Sequence, residues 1–104
     1  MELTTITKTE AINLLINKEN YLIQSIFKPL EEIKELILDK HTKINNQLNN
    51  LNINFRKCIK QQSNALKFSV NDSWLYFNSF KKAYILKDWL ILTSDDNTMI
   101  YKIK

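Results

Sequence analysis

The pattern of apolar and polar residues changes near residue 64. Before this point apolar residues recur every three or four positions, as on one face of a helix, and after it short β-rich runs alternate with polar clusters. The pattern predicts a single α+β domain, 1–104, with 1–64 mainly helical and 65–104 mainly β. We expect the N-terminal helices, one of them long and heptad-striped, to pack on one face of a four- or five-stranded antiparallel meander sheet.

Helix-start signals divide the N-terminal half of the chain. Thr7 and Glu10 have the spacing of a capping box, in which each side chain accepts a hydrogen bond from the other residue's backbone N–H. An apolar face follows, so the sequence predicts a short helix over about residues 8–18. Pro29 suits the first position of a second helix, and a kink within one long helix is the alternative. A further apolar set lies between these signals: Leu22, Ile23, Ile26 and Phe27.

From residue 30 onward apolar residues recur at every seventh position. Such a repeat is typical of a helix that packs along a coiled-coil-like seam. Two interpretations follow: an amphipathic helix, or two, packed on the protein's own sheet, or a self-associating seam that forms a homodimer. Within the asparagine-rich stretch 45–54, the asparagines can break the helix near residues 49–54, because Asn side chains compete for backbone hydrogen bonds. The stripe consists of Leu30, Ile37, Ile44, Leu51 and Cys58.

Five short β-rich runs follow the helical part. They are separated by polar clusters in which Asn, Asp and Ser replace glycine as turn residues, since they tolerate unusual backbone angles or bond to their own backbone. Connections this short require antiparallel neighbours. The predicted strands are 66–70, 74–77, 83–86, 89–93 and 98–103, and the predicted turns are 71–73, 78–79, 87–88 and 94–97.

The composition excludes several classes of site. No residue is glycine, so the chain has no P-loop, dinucleotide fingerprint or Gly-x-Ser-x-Gly nucleophile elbow. His41 and Cys58 are the sole candidates for base and nucleophile, and on one continuous helix they would be roughly 25 Å apart. One histidine and one cysteine cannot form a tetrahedral zinc site without acidic ligands. We therefore expect a protein that is not an enzyme and has no metal or cofactor.

Other features favour a cytoplasmic protein. A lone cysteine cannot form an internal disulfide, which is typical of reducing compartments. No apolar run approaches the roughly 18 residues of a membrane span, and the N-terminus does not resemble a secretion signal. The abundance of Ile, Asn and Lys resembles proteins of AT-rich genomes, so codon bias can account for part of the net charge of +4.

Positive charge is concentrated in one stretch of the chain. Between Asp39 and Asp72 there is no acidic residue, whereas basic residues recur throughout. Such a stretch can steer a nucleic acid or an acidic protein, and the alternative is a solvated face without a partner. The basic residues are Lys40, Lys43, Arg56, Lys57, Lys60 and Lys67.

Aromatic residues are interleaved with lysines in the β part. Alternation assigns most of the aliphatic residues to one sheet face, which the helices would cover. Trp74, Tyr76 and Trp89 would then share the other face. These aromatic residues are expected to have core or protein-contact roles, or to stack the bases of a single-stranded nucleic acid.

Two segments resemble a known family. Residues 87–92, Lys-Asp-Trp-Leu-Ile-Leu, the Asp-Asp turn that follows, and residues 99–103, Met-Ile-Tyr-Lys-Ile, are similar to the late sheet of small ribosome-dependent ribonuclease toxins. Those proteins are also similar in size, basic charge and the order of helices and sheet. The resemblance implies nucleic-acid binding with toxin-like RNA cleavage, although the family's later basic and histidine residues have no counterpart before Lys104.

We interpret the chain as a small non-catalytic protein-binding module, of the kind that phages and other mobile elements use as accessory or inhibitor proteins against a host protein or complex. Its partner would have an acidic surface or be a nucleoprotein complex, and no membrane is involved. The alternative is a nucleic-acid-binding protein, such as a ribosome-dependent ribonuclease-toxin-like domain. The residues expected to bind the partner are Lys40, Lys43, Arg56, Lys57, Lys60, Trp74, Tyr76 and Trp89.

Overall fold

A computed structural model describes residues 2–50, 58–62, 65–68, 74–76 and 80–103 of the chain. These described residues contain two helices and eight strands. In chain order the elements are β1 (Thr4–Ile6), α1 (Lys8–Asn17), β2 (Asn20–Ile26), α2 (Leu30–Asn50), β3 (Cys58–Gln62), β4 (Ala65–Phe68), β5 (Trp74–Tyr76), β6 (Lys82–Leu86), β7 (Trp89–Thr93) and β8 (Thr98–Ile103).

The larger sheet has five antiparallel strands in the order β1-β6-β7-β8-β2. Its centre is the β6-β7-β8 meander, in which Tyr84, Ile91 and Ile100 are direct neighbours across the three strands. A smaller antiparallel sheet has the order β3-β4-β5. The predicted α+β fold, with N-terminal helices and an antiparallel meander, is therefore confirmed.

The two helices lie on opposite faces of the five-stranded sheet. On one face α1 contributes Ala11 and Leu15 to a buried cluster, and on the other face α2 contributes Leu30, Ile33 and Ile37 to a second cluster. Every residue of β7 is consequently buried. The expectation that the helices cover one face is wrong. The reason lies in the sequence of β7, Trp-Leu-Ile-Leu-Thr. A strand with consecutive apolar residues is typically covered on both faces.

Helix α1 begins at the capping box that the sequence predicts. The Glu10 backbone N–H donates to Thr7 Oγ1 at 3.0 Å, and the Thr7 backbone N–H donates to Glu10 Oε1 at 3.2 Å, which completes the capping box. After the helix, the buried Asn20 side chain donates to the carbonyls of Leu15 at 3.2 Å and Lys18 at 3.1 Å. These bonds satisfy carbonyls that the helix end leaves free and fix the start of β2 beside α1.

The start of α2 is held by the hairpin between β7 and β8. The helix begins at Leu30, whose backbone N–H donates to Thr93 Oγ1 at 3.1 Å. The Glu32 N–H bonds to the Pro29 carbonyl at 3.1 Å, so Pro29 precedes a new helix by one residue. The alternative of a kinked continuous helix is wrong, since β2 precedes the proline.

The seven-residue stripe does not follow one helix. Leu30 and Ile37 are buried under α2 and Ile44 is half-buried, Leu51 lies outside the described residues, and Cys58 begins strand β3. A self-associating seam stays a prediction, as does the division into a mainly helical 1–64 and a mainly β 65–104.

The last three predicted runs match strands of the five-stranded sheet closely, and the first two runs belong to the smaller sheet. Runs 83–86, 89–93 and 98–103 are β6, β7 and β8. Runs 66–70 and 74–77 contribute β4 and β5 to the smaller sheet, with their last residues outside the described part.

Two predicted turns, 87–88 and 94–97, join the meander strands; the turns 71–73 and 78–79 lie outside the described residues. Lys87 has φ 55° at the first turn. At the second, the Ser94 backbone N–H donates to the Asn97 carbonyl at 2.8 Å.

Candidate functional site

Two of the predicted basic residues lie on α2. Lys40 is half-buried as a residue, and its ammonium donates to Gln24 Oε1 on β2 at an exposed position. Lys43 is exposed and pairs with Asp39 at 3.0 Å, one helical turn away. A surface pair of this kind contributes little to stability. Lys40 is thus placed beside the edge of the sheet, and Lys43 is part of a locally neutralised surface.

The remaining predicted basic residues follow α2 in the chain. Arg56 and Lys57 lie outside the described residues. Lys60 belongs to β3, where its backbone is opposite that of Lys67 on β4.

The three aromatic residues do not share a sheet face. The backbone of Trp74 is opposite Lys67 and that of Tyr76 opposite Ala65 in the smaller sheet. Trp89 begins β7 in the larger sheet and is fully buried. The expectation that Trp74, Tyr76 and Trp89 share one sheet face is therefore wrong, because the runs before and after residue 80 belong to separate sheets.

Trp89 is anchored under α2 by a polar contact. Its indole N–H donates to Asn45 Oδ1 at 2.9 Å, which satisfies the one donor that a buried tryptophan carries. The His41 ring meets the indole edge to face, with ring centroids 4.7 Å apart and an interplanar angle of 73°. Trp89 thus acts as a core residue that fixes the C-terminal half of α2 on the sheet.

An ionisable cluster of the buried His41 and Lys102 and the partly exposed Asp88 lies beside this tryptophan. The Lys102 ammonium bonds to Asp88 Oδ2, while His41 Nε2 is 3.9 Å from Asp88 Oδ1, too far for a hydrogen bond. Only 3% of His41 is exposed. Neither ring nitrogen of His41, nor Asp88 Oδ1, has a hydrogen-bond partner among the described residues.

The environment of His41 disfavours its charged form. Burial lowers the pKa of His41, Asp88 acts in the opposite direction, and Lys87 and Lys102 lower the pKa further. The ring nitrogens are closed to solvent, so a substrate cannot reach them in this conformation. The sequence suggested Cys58 as the partner of His41 and gave no sign of Asp88 and Lys102, because their proximity to His41 depends on how α2 crosses the sheet.

Large apolar side chains are exposed along one edge of the five-stranded sheet. Leu22 lies on the edge strand β2, Phe27 directly follows its last residue, and Leu36 lies on α2 one turn before Lys40. Since Lys40 reaches Gln24 on β2, Leu36 occupies the flank of α2 that faces this strand. We call Leu22, Gln24, Phe27, Leu36 and Lys40 the β2 edge surface.

The sequence pattern did not predict the β2 edge surface. Leu22 and Phe27 have spacing that fits a helix as well as a strand, and only the pairing of β2 with β8 decides between them. A usable signal was the off-stripe position of Leu36, which lies next to the buried Ile37 and so points away from the helix face that packs on the sheet.

Comparison with protein-family models, with curated proteins and with solved structures yields no match for this chain. Within the described residues there is no group of three or more His, Cys, Asp and Glu side chains that could hold a metal ion. None of the helices described is both long enough and apolar enough to cross a membrane.

Proposed function

We propose that this chain is a small non-catalytic protein-binding module that contacts its partner through the β2 edge surface. The observation that carries the proposal is the gathering of exposed apolar side chains at one edge. The exposed fraction is 86% for Phe27, 55% for Leu36 and 45% for Leu22.

The energetics of these side chains favour an interface. Burying one Leu or Phe side chain contributes about 1.5–3 kcal/mol. Single exposed apolar residues are common on protein surfaces, whereas a group of them beside a basic residue is typical of an interaction site. Among residues 2–20, 22–45 and 80–103, no other large hydrophobic side chain is exposed to this degree.

The enclosed position of His41 supports a non-catalytic role. General acid–base catalysis requires a side chain within hydrogen-bond distance of a substrate proton. The ring nitrogens of His41 are buried under α2 with Trp89 and Asp88 around them. This arrangement suits a residue that fixes helix α2 on the sheet.

The charge beside the apolar residues favours a partner with carboxylates. The polar partner of Lys40 among the described residues is the neutral amide of Gln24, so the ammonium charge is not neutralised there. An acidic partner, as the sequence suggests, would supply the negative charge that neutralises this ammonium. An accessory or inhibitor protein acting on a host protein or complex fits such a surface.

A quantitative affinity pull-down tests the proposal. The wild-type protein, the double variant F27S/L36S and the control variant K34S are compared as baits, and each enriched protein is then measured against purified bait by calorimetry. Lys34 is an exposed α2 residue outside the β2 edge surface. We expect F27S/L36S to weaken partner binding at least about 100-fold, since two buried side chains are lost, and K34S to bind like wild type.

Two outcomes would contradict the proposal. One is a partner that binds F27S/L36S as tightly as wild type. The other is a co-purifying nucleic acid whose binding falls steeply with salt and is unchanged in F27S/L36S, which would favour the nucleic-acid-binding alternative.

A further inference from the structure

Strand β2 has one backbone edge that no other described strand pairs with. It is the last strand of the five-stranded sheet and pairs with β8 alone among the described strands. At seven residues, Asn20–Ile26, it is long for an edge strand, whereas the opposite edge, β1, has three residues. An edge of this length can pair with an extended segment of another chain.

The two faces of this edge present different side chains. Register with β8 places Leu22 opposite Tyr101, on the face that α1 covers, and Gln24 opposite Ile100, on the face that α2 covers. A bulge between Leu22 and Gln24 separates the two halves of the strand. An incoming strand would therefore meet Leu22 on one face and the flank of α2 on the other.

The flank of α2 adds a charge pattern to this edge. Helix α2 starts beside Thr93 and reaches the Trp89 row of the sheet at Asn45, so Leu36 precedes Lys40 along the direction from Ile26 to Gln24. Glu32 lies one further turn back on the same flank. On this flank of α2 the positive charge thus lies at the Gln24 position, and a carboxylate near Glu32 would be repelled.

We propose that the β2 edge surface binds an extended segment of a partner protein as an added strand. The segment carries a carboxylate opposite Gln24, within reach of Lys40, and an apolar side chain two residues away that packs on Leu36. On the other face an apolar side chain packs on Leu22. This inference rests on the proposed function and specifies its mode of recognition.

Charge disfavours a second copy of this chain as the occupant. Antiparallel pairing of two β2 strands about a two-fold axis would keep both α2 helices on the same side of the joined sheet. The two Lys40 residues, near the middle of each strand, would then face each other across the junction, and like charges opposite one another are destabilising. A segment with a carboxylate avoids this repulsion.

The test uses random dodecapeptides displayed on phage and selected against the whole protein. Selected peptides are synthesised and their binding to wild type, K40Q and the control K34Q is measured. We expect selected peptides with one Asp or Glu, an apolar residue two positions from it and a second apolar residue on the other strand face, binding about fivefold weaker to K40Q, and unchanged binding to K34Q. With peptide at about ten times its Kd, hydrogen exchange at the open edge of β2 should slow about tenfold.

Each contrary result has a defined meaning. If no peptide is selected, or if selected peptides leave β2 exchange unchanged, strand addition is wrong. If purified protein alone dimerises in light scattering with β2 protected, the occupant is a second copy and the proposal is overturned. If a partner's binding is lost in F27S/L36S while β2 exchange is unaffected, protein binding at this surface stands and strand addition alone falls.

Discussion

His41 is enclosed on the α2 side of the sheet with Trp89 and Asp88 around it, and this enclosure gives a pH dependence. Burial lowers the pKa of His41, against the opposing effect of Asp88. The unfolded chain takes up the proton near pH 6.5 and the folded chain only at lower pH, so protonation favours unfolding. The stabilising contribution is complete above about pH 6.5 and is lost as the pH falls toward the folded-state pKa, by at most about 1.4 kcal/mol per pH unit.

Urea denaturation between about pH 5 and 7.5 measures this loss. The control is H41F, which keeps a ring against Trp89 and has no proton to bind. Its free energy of unfolding should change less with pH than that of wild type. Equal pH dependence in both proteins would assign the effect to other groups.

Lys87 occupies a backbone position that glycine prefers. Its φ of 55° lies in the left-handed region, which a residue with a Cβ adopts at a cost of roughly 1–2 kcal/mol. K87G should raise the free energy of unfolding by about 0.5–1 kcal/mol, since glycine's greater freedom in the unfolded chain offsets part of the gain.

The control for this change is K87A, which removes the charge near His41 and retains the Cβ. The free energy of unfolding should rise less in K87A than in K87G. If the two variants melt at the same temperature, charge rather than backbone conformation controls stability at this turn.

At the scale of elements, adjacent residues of α2 have opposite environments. Ile37 is fully buried against the sheet and Leu36 is 55% exposed. I37D would bury an unpaired carboxylate and should cost several kcal/mol, enough to unfold the domain. L36D should change stability by under about 0.5 kcal/mol. The half-buried Ile44 should respond to I44D with an intermediate loss.

Thermal melting followed by circular dichroism compares these variants. A similar loss in I37D and L36D would show that the assigned helix face is wrong. L36D also provides a folded protein for binding experiments, because the same substitution alters the β2 edge surface.

The element that sequence analysis placed least well is β2. Its apolar residues occur in two adjacent pairs, Leu22-Ile23 and Ile26-Phe27, a spacing that fits a helix face. Pairing with β8 makes the segment a strand, because the edge of β8 would otherwise leave its backbone groups unpaired in a buried sheet. Long-range hydrogen bonding thus decided an element that local pattern left ambiguous.

At the scale of the whole molecule, the layer order predicts a gradient of local stability. β7 lies at the centre of the sheet, covered by α1 on one face and α2 on the other. Its amides should exchange with solvent only on global unfolding, whereas amides of the edge strands β1 and β2 should exchange through local opening.

Native-state hydrogen exchange at increasing denaturant measures this gradient. The exchange free energy of β7 should equal the global free energy of unfolding. Edge amides should exchange with lower free energies that depend weakly on denaturant. An edge strand as protected as β7 in the free protein would contradict the layer order.

The sequence by itself determined the parts that depend on local interactions. Thr7 and Glu10 specify the start of α1, Pro29 separates the second helix from what precedes it, and the runs that became β6, β7 and β8 are bounded by their own turn residues. These signals act over a few residues, so they can be read without knowing the fold.

Only the tertiary structure determines which sheet face each helix covers and which residues meet at the candidate site. The placement of α2 opposite α1 buries Trp89 and His41, joins them to Asp88 and Lys102, and leaves Leu36 and Lys40 beside β2. These contacts join residues far apart in the chain. Their geometry depends on the order of the strands and on how each helix crosses the sheet. The spacing of apolar residues indicates that a residue is buried, but it does not indicate which element buries it.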